Sequence, residues 1–216
     1  MDIYLVRHGE TKANARHLYQ PPTEPISSSG ASEVARLVRT IQEFAPTHLY
    51  TSHYTRARDT AHFFEYATGL EAEWLDDVTE LQVPEYMYGK SHYGIYSMYY
   101  LLRWYFNLLP ERISDQIETK KEFLERVLRA RNYFANQHVG DRVVVVSHSI
   151  FTNFFIAHLC YDKQIHFIQA MPLLMKILRY ENSGVTHVRY IGETETNVCP
   201  WEVVSFNAHQ HLEAND

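Results

Sequence analysis

Apolar positions in the chain follow two patterns: short continuous runs, and longer stretches in which they recur every three or four residues. The runs at 2–6 and 143–146 are rich in aliphatic and β-branched residues, which predicts buried strands. The helical spacing extends over 34–44 and 123–134, which predicts amphipathic helices. The predicted strands alternate with helices, and the strand at 143–146 is apolar throughout. Both features favour a mainly parallel sheet covered on both faces. We therefore expect an α/β fold, a three-layer sandwich with helices on both faces of the central sheet.

Turn and capping residues divide the rest of the chain into further elements. Three prolines between residues 20 and 29 predict a surface loop, after which Ser29 can cap the next helix. Gly69 is a typical helix end, so the helix that begins near Thr55 should stop at Thr68. Two further strands are expected at 71–75 and 201–206, and two further helices, an aromatic one at 95–109 stopped by Pro110 and an apolar one at 151–159. A hairpin is expected where the strands 173–181 and 185–191 flank Asn182-Ser183-Gly184.

Composition narrows the class of protein. With 216 residues the chain can form one domain with a sizeable core, and its formal net charge of −6 disfavours nucleic acid or an anionic membrane as the main partner. Cys160 and Cys199 are expected as free thiols in a reducing compartment. We expect no leader, because the first strand begins at residue 2, and the apolar stretch 93–109 is shorter than the roughly 20 residues of a membrane-spanning helix. These features predict a cytoplasmic protein.

Cationic and imidazole side chains follow three of the predicted strands, at the point where each strand ends. The chain places Arg7-His8-Gly9 after the first strand, Ser147-His148-Ser149 after the valine strand, and Arg56 in the helix that follows a strand at 47–52. Small anionic ligands bind at the carboxyl edge of open α/β sheets, and guanidinium groups match phosphate oxygens. Arg58 lies well round the helix from Arg56, so it is expected to face solvent or to act on the site only through another residue. The sequence therefore predicts a phosphate site.

These blocks resemble the histidine phosphatase superfamily, the phosphoglycerate-mutase-like proteins. The residues that carry the resemblance are Arg7-His8-Gly9-Glu10-Thr11 with Asn14, Thr51-Ser52 with Arg56-Ala57 and Thr60-Ala61, and Ser147-His148-Ser149. The first block alone is moderately specific, whereas the three blocks in this order are highly specific. The resemblance spans most of the chain and implies a phosphoglycerate-mutase-like fold.

The resemblance also implies a two-step phosphoryl transfer. His8 attacks the phosphorus and becomes phosphohistidine, while Arg7, Arg56 and His148 hold the transferring oxygens, and water then hydrolyses the intermediate. Neutral imidazole suits this role, since it can attack phosphorus and leave again near pH 7. The residues expected to bind substrate beside them are Asn14, Thr11 and Ser149. No metal and no other cofactor is expected, because arginines and histidines supply the charge that Mg²⁺ supplies elsewhere.

An acid must protonate the departing oxygen, and a glutamate is the expected residue. The segment 78–84 resembles the family segment that carries this acid, which selects Glu80, with Glu85 as the second choice. A glutamate needs a raised pKa to be protonated near neutrality, and burial beside an apolar wall would raise it. Glu118 also resembles a family glutamate, although its position at the start of a helix explains it equally well.

The segment at about 83–117 is unusually rich in tyrosine and tryptophan. We expect it as a helical insertion near the pocket of one histidine phosphatase domain that spans residues 1–216. Aromatic side chains with polar tips suit a bulky leaving group or a protein surface. A core helix that packs on the sheet would explain the same composition, so both interpretations stay open.

Three functions are consistent with these residues. The first is a metal-independent phosphomonoesterase that acts through phosphohistidine. The alternatives are a phosphoglycerate-type mutase, which the comparatively short chain and missing mutase segments disfavour, and a non-catalytic phosphate-binding or scaffold module. The expected partner is a small phosphorylated substrate or a phosphoprotein, without nucleic acid or membrane; the oligomeric state stays open, a homodimer included.

Overall fold

The computed structural model describes residues 1–108, 117–136, 140–160, 180–192 and 199–210. Its strands are β1 (Asp2–Arg7), β2 (His48–Thr51), β3 (Ala72–Trp74), β4 (Arg142–Ser147), β5 (Val185–Tyr190) and β6 (Trp201–Ala208). Its helices are α1 (Lys12–Ala15), α2 (Ser28–Glu43), α3 (Thr55–Thr68), α4 (Ile95–Tyr105), α5 (Lys120–Ala135) and α6 (Ser149–Ala157), with short 3₁₀ turns at Asp76–Val78 and Glu85–Met87. Within the described residues the strands form one sheet in the order β3-β2-β4-β1-β5-β6.

The sheet is parallel through its first four strands. β1 pairs with β4, β4 with β2, and β2 with β3 in parallel, whereas β5 and β6 are antiparallel. In this register Arg7 lies opposite Ser147, and Thr51 lies opposite Val146. The carboxyl ends of β1, β2 and β4 therefore meet at one edge. This confirms the predicted α/β fold with a mainly parallel sheet.

Alternate residues of the strands contribute to two separate cores, one on each face of the sheet. The core on one face contains side chains from α4, α5 and α6, and the core on the other contains side chains from α2 and α3. Complete burial of a large side chain such as Phe64 or Phe134 stabilises the fold by about 1.5–3 kcal/mol. The helices on the two faces complete the three layers that the sequence predicts.

The start of α2 corrects one expectation. Ser27, not Ser29, is the N-cap, since its side chain accepts the N–H of Gly30 at 3.0 Å. Gly30 packs directly on the backbone of Glu10, where a Cβ atom would overlap main-chain atoms. The helix begins two residues earlier than the sequence pattern indicates, and this places Gly30 inside its first turn at the contact. Ser29 is exposed.

Other boundaries follow the predictions closely. α3 ends at Gly69 in the left-handed conformation, with φ of 74°, which glycine adopts without steric cost. β5 and the turn at 182–184 lie where the hairpin was expected, but residues 173–179, its predicted first strand, lie outside the described residues. α4 is the exception: it ends at Tyr105 and not at the predicted residue 109, since residues 106–108 are not helical, and Pro110 lies outside the described residues.

The cysteines are not free thiols, so that expectation is wrong. Cys160 and Cys199 form a disulfide with their Cα atoms 5.1 Å apart. The two residues are separated by 39 positions in sequence, and the spacing gives no indication that they meet in space. None of the described helices combines the length and the apolar composition that a membrane-spanning helix requires.

Candidate active site

The carboxyl edge of the sheet forms one wall of a cavity of about 820 Å³. Arg7, His8, Arg56 and Glu80 line this cavity, and the ring of His148 lies next to His8 with 5.1 Å between the ring centroids. The cavity wall also includes Asn14 and Ser149. The structure therefore brings together the side chains that the sequence places at three separate strand ends. Among the described residues, no group of three or more His, Cys, Asp or Glu side chains is arranged to hold a metal ion.

Two hydrogen bonds determine which nitrogen of His8 carries the proton. Nδ1 lies 2.8 Å from the carbonyl oxygen of Gly9, which can only accept, so Nδ1 is protonated. Nε2 lies 3.1 Å from Nε of Arg56, which can only donate, so Nε2 keeps its lone pair. Burial of His8, together with the positive charges of Arg56 and Arg7, holds its pKa well below the ordinary value. The ring is therefore neutral at pH 7 and has one unprotonated nitrogen, which an attacking nucleophile requires.

His148 is fully buried beside His8. Its Nε2 lies 2.8 Å from Oγ of Ser52, while its Nδ1 has no hydrogen-bond partner in the described structure. Ser52 Oγ also accepts the N–H of Tyr54 at 3.2 Å, so its own hydrogen is free to reach His148 Nε2. In that tautomer Nδ1–H is a buried donor that lacks an acceptor, an arrangement that costs free energy until an acceptor arrives. His148 itself is not among the residues that line the cavity.

Backbone carbonyls hold the two arginines at the cavity. Arg7 donates from Nη1 to the carbonyl of Tyr180, and Arg56 donates from Nη1 to the carbonyl of Pro21 at 3.1 Å. Nε of Arg7 is buried and has no hydrogen-bond partner among the described residues. Burial lowers the pKa of Arg7 and lowers that of Arg56 to about 10, so the Arg56 guanidinium remains charged at pH 7. Both positive charges therefore face the cavity.

Glu80 caps helix α6 and lines the cavity at the same time. Its carboxyl oxygens accept the N–H groups of Leu81 at 3.1 Å, Ile150 at 3.1 Å and Phe151 at 3.0 Å. Burial raises the pKa of Glu80, and the N–H groups and Arg56 oppose this effect only in part. Glu85, the second choice from the sequence, is exposed and does not line the cavity. The geometry thus favours Glu80 over Glu85 as the acid.

A buried ion pair fixes the segment that carries Glu80. Arg126 contacts both oxygens of Glu118 at 2.8 Å, and it also donates to the carbonyls of Thr79 at 2.7 Å and Glu80 at 3.3 Å. Glu118 accepts the N–H of Gln82 at 3.2 Å, so the pair holds the chain on both sides of Glu80. Glu118 does not line the cavity. Because the partner of Glu118 is the Arg126 guanidinium, interaction with a helix dipole is not needed to explain a glutamate at this position.

The structure does not bring Thr11 to the cavity, although the sequence predicts it as a substrate-binding residue. Thr11 is buried, its side chain accepts the N–H of Asn14 at 3.0 Å, and its hydroxyl contacts Gln20 at 2.6 Å. It therefore caps α1 and orients Asn14, which does reach the cavity. Arg58 is exposed as expected, and its guanidinium lies 5.1 Å from the ring centre of Trp74.

Asn182 belongs to the site but was not identified from the sequence. Its side-chain nitrogen donates to the carbonyl of His8 at 3.1 Å and to Oδ1 of Asn14 at 3.2 Å, and the residue lines the cavity. The sequence marks 182–184 only as a turn. The contact arises because β5 pairs with β1, which brings the turn before β5 to the end of β1.

Comparison with known proteins agrees with this arrangement. A model of the histidine phosphatase superfamily (branch 1) matches residues 3–198. The probable phosphoglycerate mutase GpmB of Shigella boydii is 25% identical over 219 residues, which cover 99% of this chain and 96% of that protein. The protein of the same name from Escherichia coli gives the same identity and coverage.

Solved structures share the fold over nearly the whole chain. Bacillus stearothermophilus YhfR has a TM-score of 0.75 at 21% identity, with 98% of each chain covered. A putative alpha-ribazole-5'-P phosphatase from Escherichia coli has a TM-score of 0.73 at 18% identity, with 97% of this chain and 98% of the other covered. A phosphoglycerate mutase from Bacillus anthracis has a TM-score of 0.71 at 19% identity, with 99% and 95% covered. Since the family model matches almost all of the sequence, the chain belongs to the histidine phosphatase superfamily, branch 1.

Proposed function

We propose that the chain is a metal-independent phosphomonoesterase that works through a phosphohistidine at His8. The observation that carries the proposal is the neutral His8 imidazole, whose Nε2 lone pair lies beside the Arg56 guanidinium. A phosphate monoester brings negative charge that must be neutralised during transfer. Arg7, Arg56 and the free nitrogen of His148 supply the donors for its oxygens. These groups take the role that Mg²⁺ has in other phosphoryl-transfer enzymes, so the proposal needs no metal.

In the first step, the phosphoryl group takes the place beside His8 Nε2 that Nε of Arg56 occupies in the free protein. The Nε2 lone pair forms the N–P bond while the P–O bond to the leaving group breaks. The departing oxygen takes its proton from the carboxyl group of Glu80. Because burial raises the pKa of Glu80, this carboxyl group stays protonated at higher pH than an ordinary glutamate.

In the second step, water replaces the departed alcohol. The Glu80 carboxylate accepts a proton from the water as the water oxygen forms the new P–O bond. The N–P electron pair returns to Nε2 of His8, and inorganic phosphate leaves. Glu80 is protonated again at the end of the cycle, so it serves as acid in one step and as base in the other.

The test is phosphate release from p-nitrophenyl phosphate by the His8→Ala variant. The variant should lose turnover, together with the acid-labile, base-stable label that a substrate with radioactive phosphorus leaves on the protein. His62→Ala, at an exposed histidine of α3 away from the cavity, is the matched control and should keep both. Retention of the label by His8→Ala would show that another residue takes the phosphoryl group.

A phosphoglycerate-type mutase is the second candidate, and the names of the curated relatives favour it. A mutase must keep its phosphohistidine away from water while the intermediate reorients. The two activities separate when the protein is incubated with 3-phosphoglycerate and followed by phosphorus NMR. The phosphomonoesterase predicts free phosphate, whereas a mutase would produce the 2-phospho isomer without loss of phosphate.

A non-catalytic phosphate-binding or scaffold module is the third candidate. It predicts that phosphate or vanadate binds at the cavity while no phosphate ester is turned over. Steady phosphate release that depends on His8 would exclude it.

A further inference from the structure

One face of helix α4 forms an apolar wall of the cavity. Met98, Leu101, Leu102 and Tyr105 line it, at the spacing of three and four residues that brings side chains to one face of a helix. Ile150 and Phe154 of α6 extend this wall, which we call the apolar wall. Met98 is 55% exposed and Leu102 is 44% exposed, so large apolar side chains face open space in the cavity.

The neighbouring face of α4 is anchored in the protein, so the exposure of the apolar wall does not come from a loosely attached helix. Trp104 is buried and donates from Nε1 to the carbonyl of Glu118 at 2.9 Å. Ser97 is buried and shares a hydrogen bond of 2.8 Å with the hydroxyl of Tyr19. Tyr100 is buried in the core that also contains Trp104. The apolar wall is therefore a rigid surface whose shape is set before a ligand binds.

The charge of the cavity disfavours a second anionic group on the ligand. Among the described residues that line it, the guanidinium groups are those of Arg7 and Arg56, which the phosphoryl group engages. Burial lowers the pKa of His92 to about 4, so this lining imidazole is neutral at pH 7. Glu10 and Glu181 add negative charge to the wall. The exposed His17 is a further lining imidazole, and among the described lining residues a carboxylate on the leaving group would find no guanidinium or ammonium group besides Arg7 and Arg56.

The described cations closest to α4 do not line the cavity, although Lys120 donates to the carbonyl of Tyr105 at 2.9 Å. Arg103 donates to the hydroxyl of Tyr99 at 2.6 Å and to the carbonyl of Leu108 at 2.7 Å. Lys90 lies over the ring of Tyr96, 4.9 Å from its centre. Neither cation lines the cavity. The volume of about 820 Å³ falls in the range of roughly 300–1,000 Å³ that holds drug-sized ligands, which is far more space than a phosphoryl group requires.

We propose that the apolar wall is a leaving-group subsite that selects phosphate monoesters of bulky, uncharged, aromatic or apolar alcohols over esters of small anionic hydroxy acids. The inference rests on the proposed hydrolysis at His8 and names the substrate class of that site. Apolar contact with the leaving group favours such esters by removing both surfaces from water. The α4 residues Met98 and Leu102 are the specificity-determining positions.

The test compares two esters of primary alcohols, so that the leaving groups differ in size and charge more than in reactivity. These are 2-phenylethyl phosphate and 3-phosphoglycerate, and the measurement is kcat/KM from inorganic phosphate release. We expect a preference of about 100-fold for the phenylethyl ester, the size of effect that a few well-placed apolar contacts give. An equal rate for both, or a preference for 3-phosphoglycerate, would overturn the subsite and leave the phosphomonoesterase standing.

A pair of variants on the same helix localises the effect. Leu102→Lys adds a cation to the apolar wall, and it should lower kcat/KM for the phenylethyl ester about tenfold and raise it for 3-phosphoglycerate. Ile95→Lys, at a position that is 67% exposed and does not line the cavity, should change neither value. Equal effects of the two substitutions would refute the assignment of Leu102 to the subsite. Leu102→Ala, which adds no charge, should weaken only the phenylethyl ester.

A binding experiment keeps the subsite testable if no ester is hydrolysed. Calorimetry with 3-phenylpropylphosphonate, which has a P–C bond that cannot be hydrolysed, should give tighter binding than 2-carboxyethylphosphonate. Preferential binding without any turnover would support the subsite while the phosphomonoesterase failed. Equal binding of the two phosphonates would overturn the subsite, whatever the turnover assays show.

Discussion

Replacement of Glu80 by glutamine separates its hydrogen bonds to the start of α6 from the acid role that we propose for it. Glutamine keeps one carbonyl oxygen, which can still accept the N–H groups of Leu81 and Phe151. Its amide nitrogen would face the N–H of Ile150, so one of three hydrogen bonds is lost and two donors meet. The cost of one lost cap bond is about 1–2 kcal/mol. For a chain of this length that corresponds to a fall in Tm of about 2–8 °C.

The catalytic cost of Glu80→Gln should depend on the leaving group. A general acid contributes about 100- to 10,000-fold to the rate when the departing oxygen needs a proton. We expect a loss of that size for an alkyl phosphate and a loss below about tenfold for p-nitrophenyl phosphate, whose phenolate leaves without protonation. The basic limb of the pH profile should also disappear, because the wild-type rate falls as pH rises through the elevated pKa of Glu80.

The assay measures kcat/KM for both esters across pH, together with Tm, in the wild type, Glu80→Gln and Glu85→Gln. Glu85 is exposed and away from the cavity, so its variant should match the wild type in every measurement. An equal loss for both esters in Glu80→Gln would refute the acid role. That result would mean that Glu80 acts by holding the start of α6, and with it His148, in place.

The remaining predictions concern stability and metal dependence. Arg126→Met leaves the buried Glu118 carboxylate without its partner and should lower the free energy of unfolding by about 3–5 kcal/mol in urea titrations. Replacement of both residues with apolar ones should recover most of this loss. If the losses of the two single variants simply add in the double variant, the pairing is contradicted. His8 and His148 are neutral in the folded protein, whereas in the unfolded chain they titrate near pH 6.5. Their contribution to the free energy of unfolding should therefore be complete above about pH 6.5. Below that pH the free energy of unfolding should fall by up to about 1.4 kcal/mol per pH unit for each of the two histidines. A plot of the urea midpoint against pH should therefore have a shallower slope for His8→Asn than for the wild type. An unchanged slope would count against burial of a neutral His8 ring. Chelators should leave the rate unchanged and vanadate should inhibit, because it mimics the pentavalent phosphorus; a strict requirement for Mg²⁺ would overturn the mechanism.

Much of the site could be predicted from the sequence because its chemistry lies at strand ends. In a parallel sheet the carboxyl ends of adjacent strands share one edge, so Arg7, His8 and His148 could be expected to meet before any coordinates were known. Arg56 follows from the third strand end and the helix after it. Local rules were equally effective at Gly69, where a left-handed helix end requires a residue without Cβ.

Where a local rule competed with a tertiary contact, the contact prevailed. Ser29 is an acceptable N-cap by composition, yet α2 begins at Ser27 because Gly30 has to pack against the backbone of Glu10. Thr11 belongs to the first sequence block, but its side chain caps α1 instead of facing the cavity. Motif membership therefore indicates which residues are near the site and does not fix the direction of each side chain.

The sequence by itself determined the order of strands and helices, the cationic and imidazole residue types of the candidate site and the strand ends at which they occur, because these depend on neighbours within a few positions. Only the tertiary structure decided the tautomer of His8, the pairing of Glu118 with Arg126, the approach of Asn182 and the disulfide between Cys160 and Cys199. Each of these depends on atoms that are distant along the chain and adjacent in space. Local spacing carries no information about such distances, so they follow only from how the helices and strands pack.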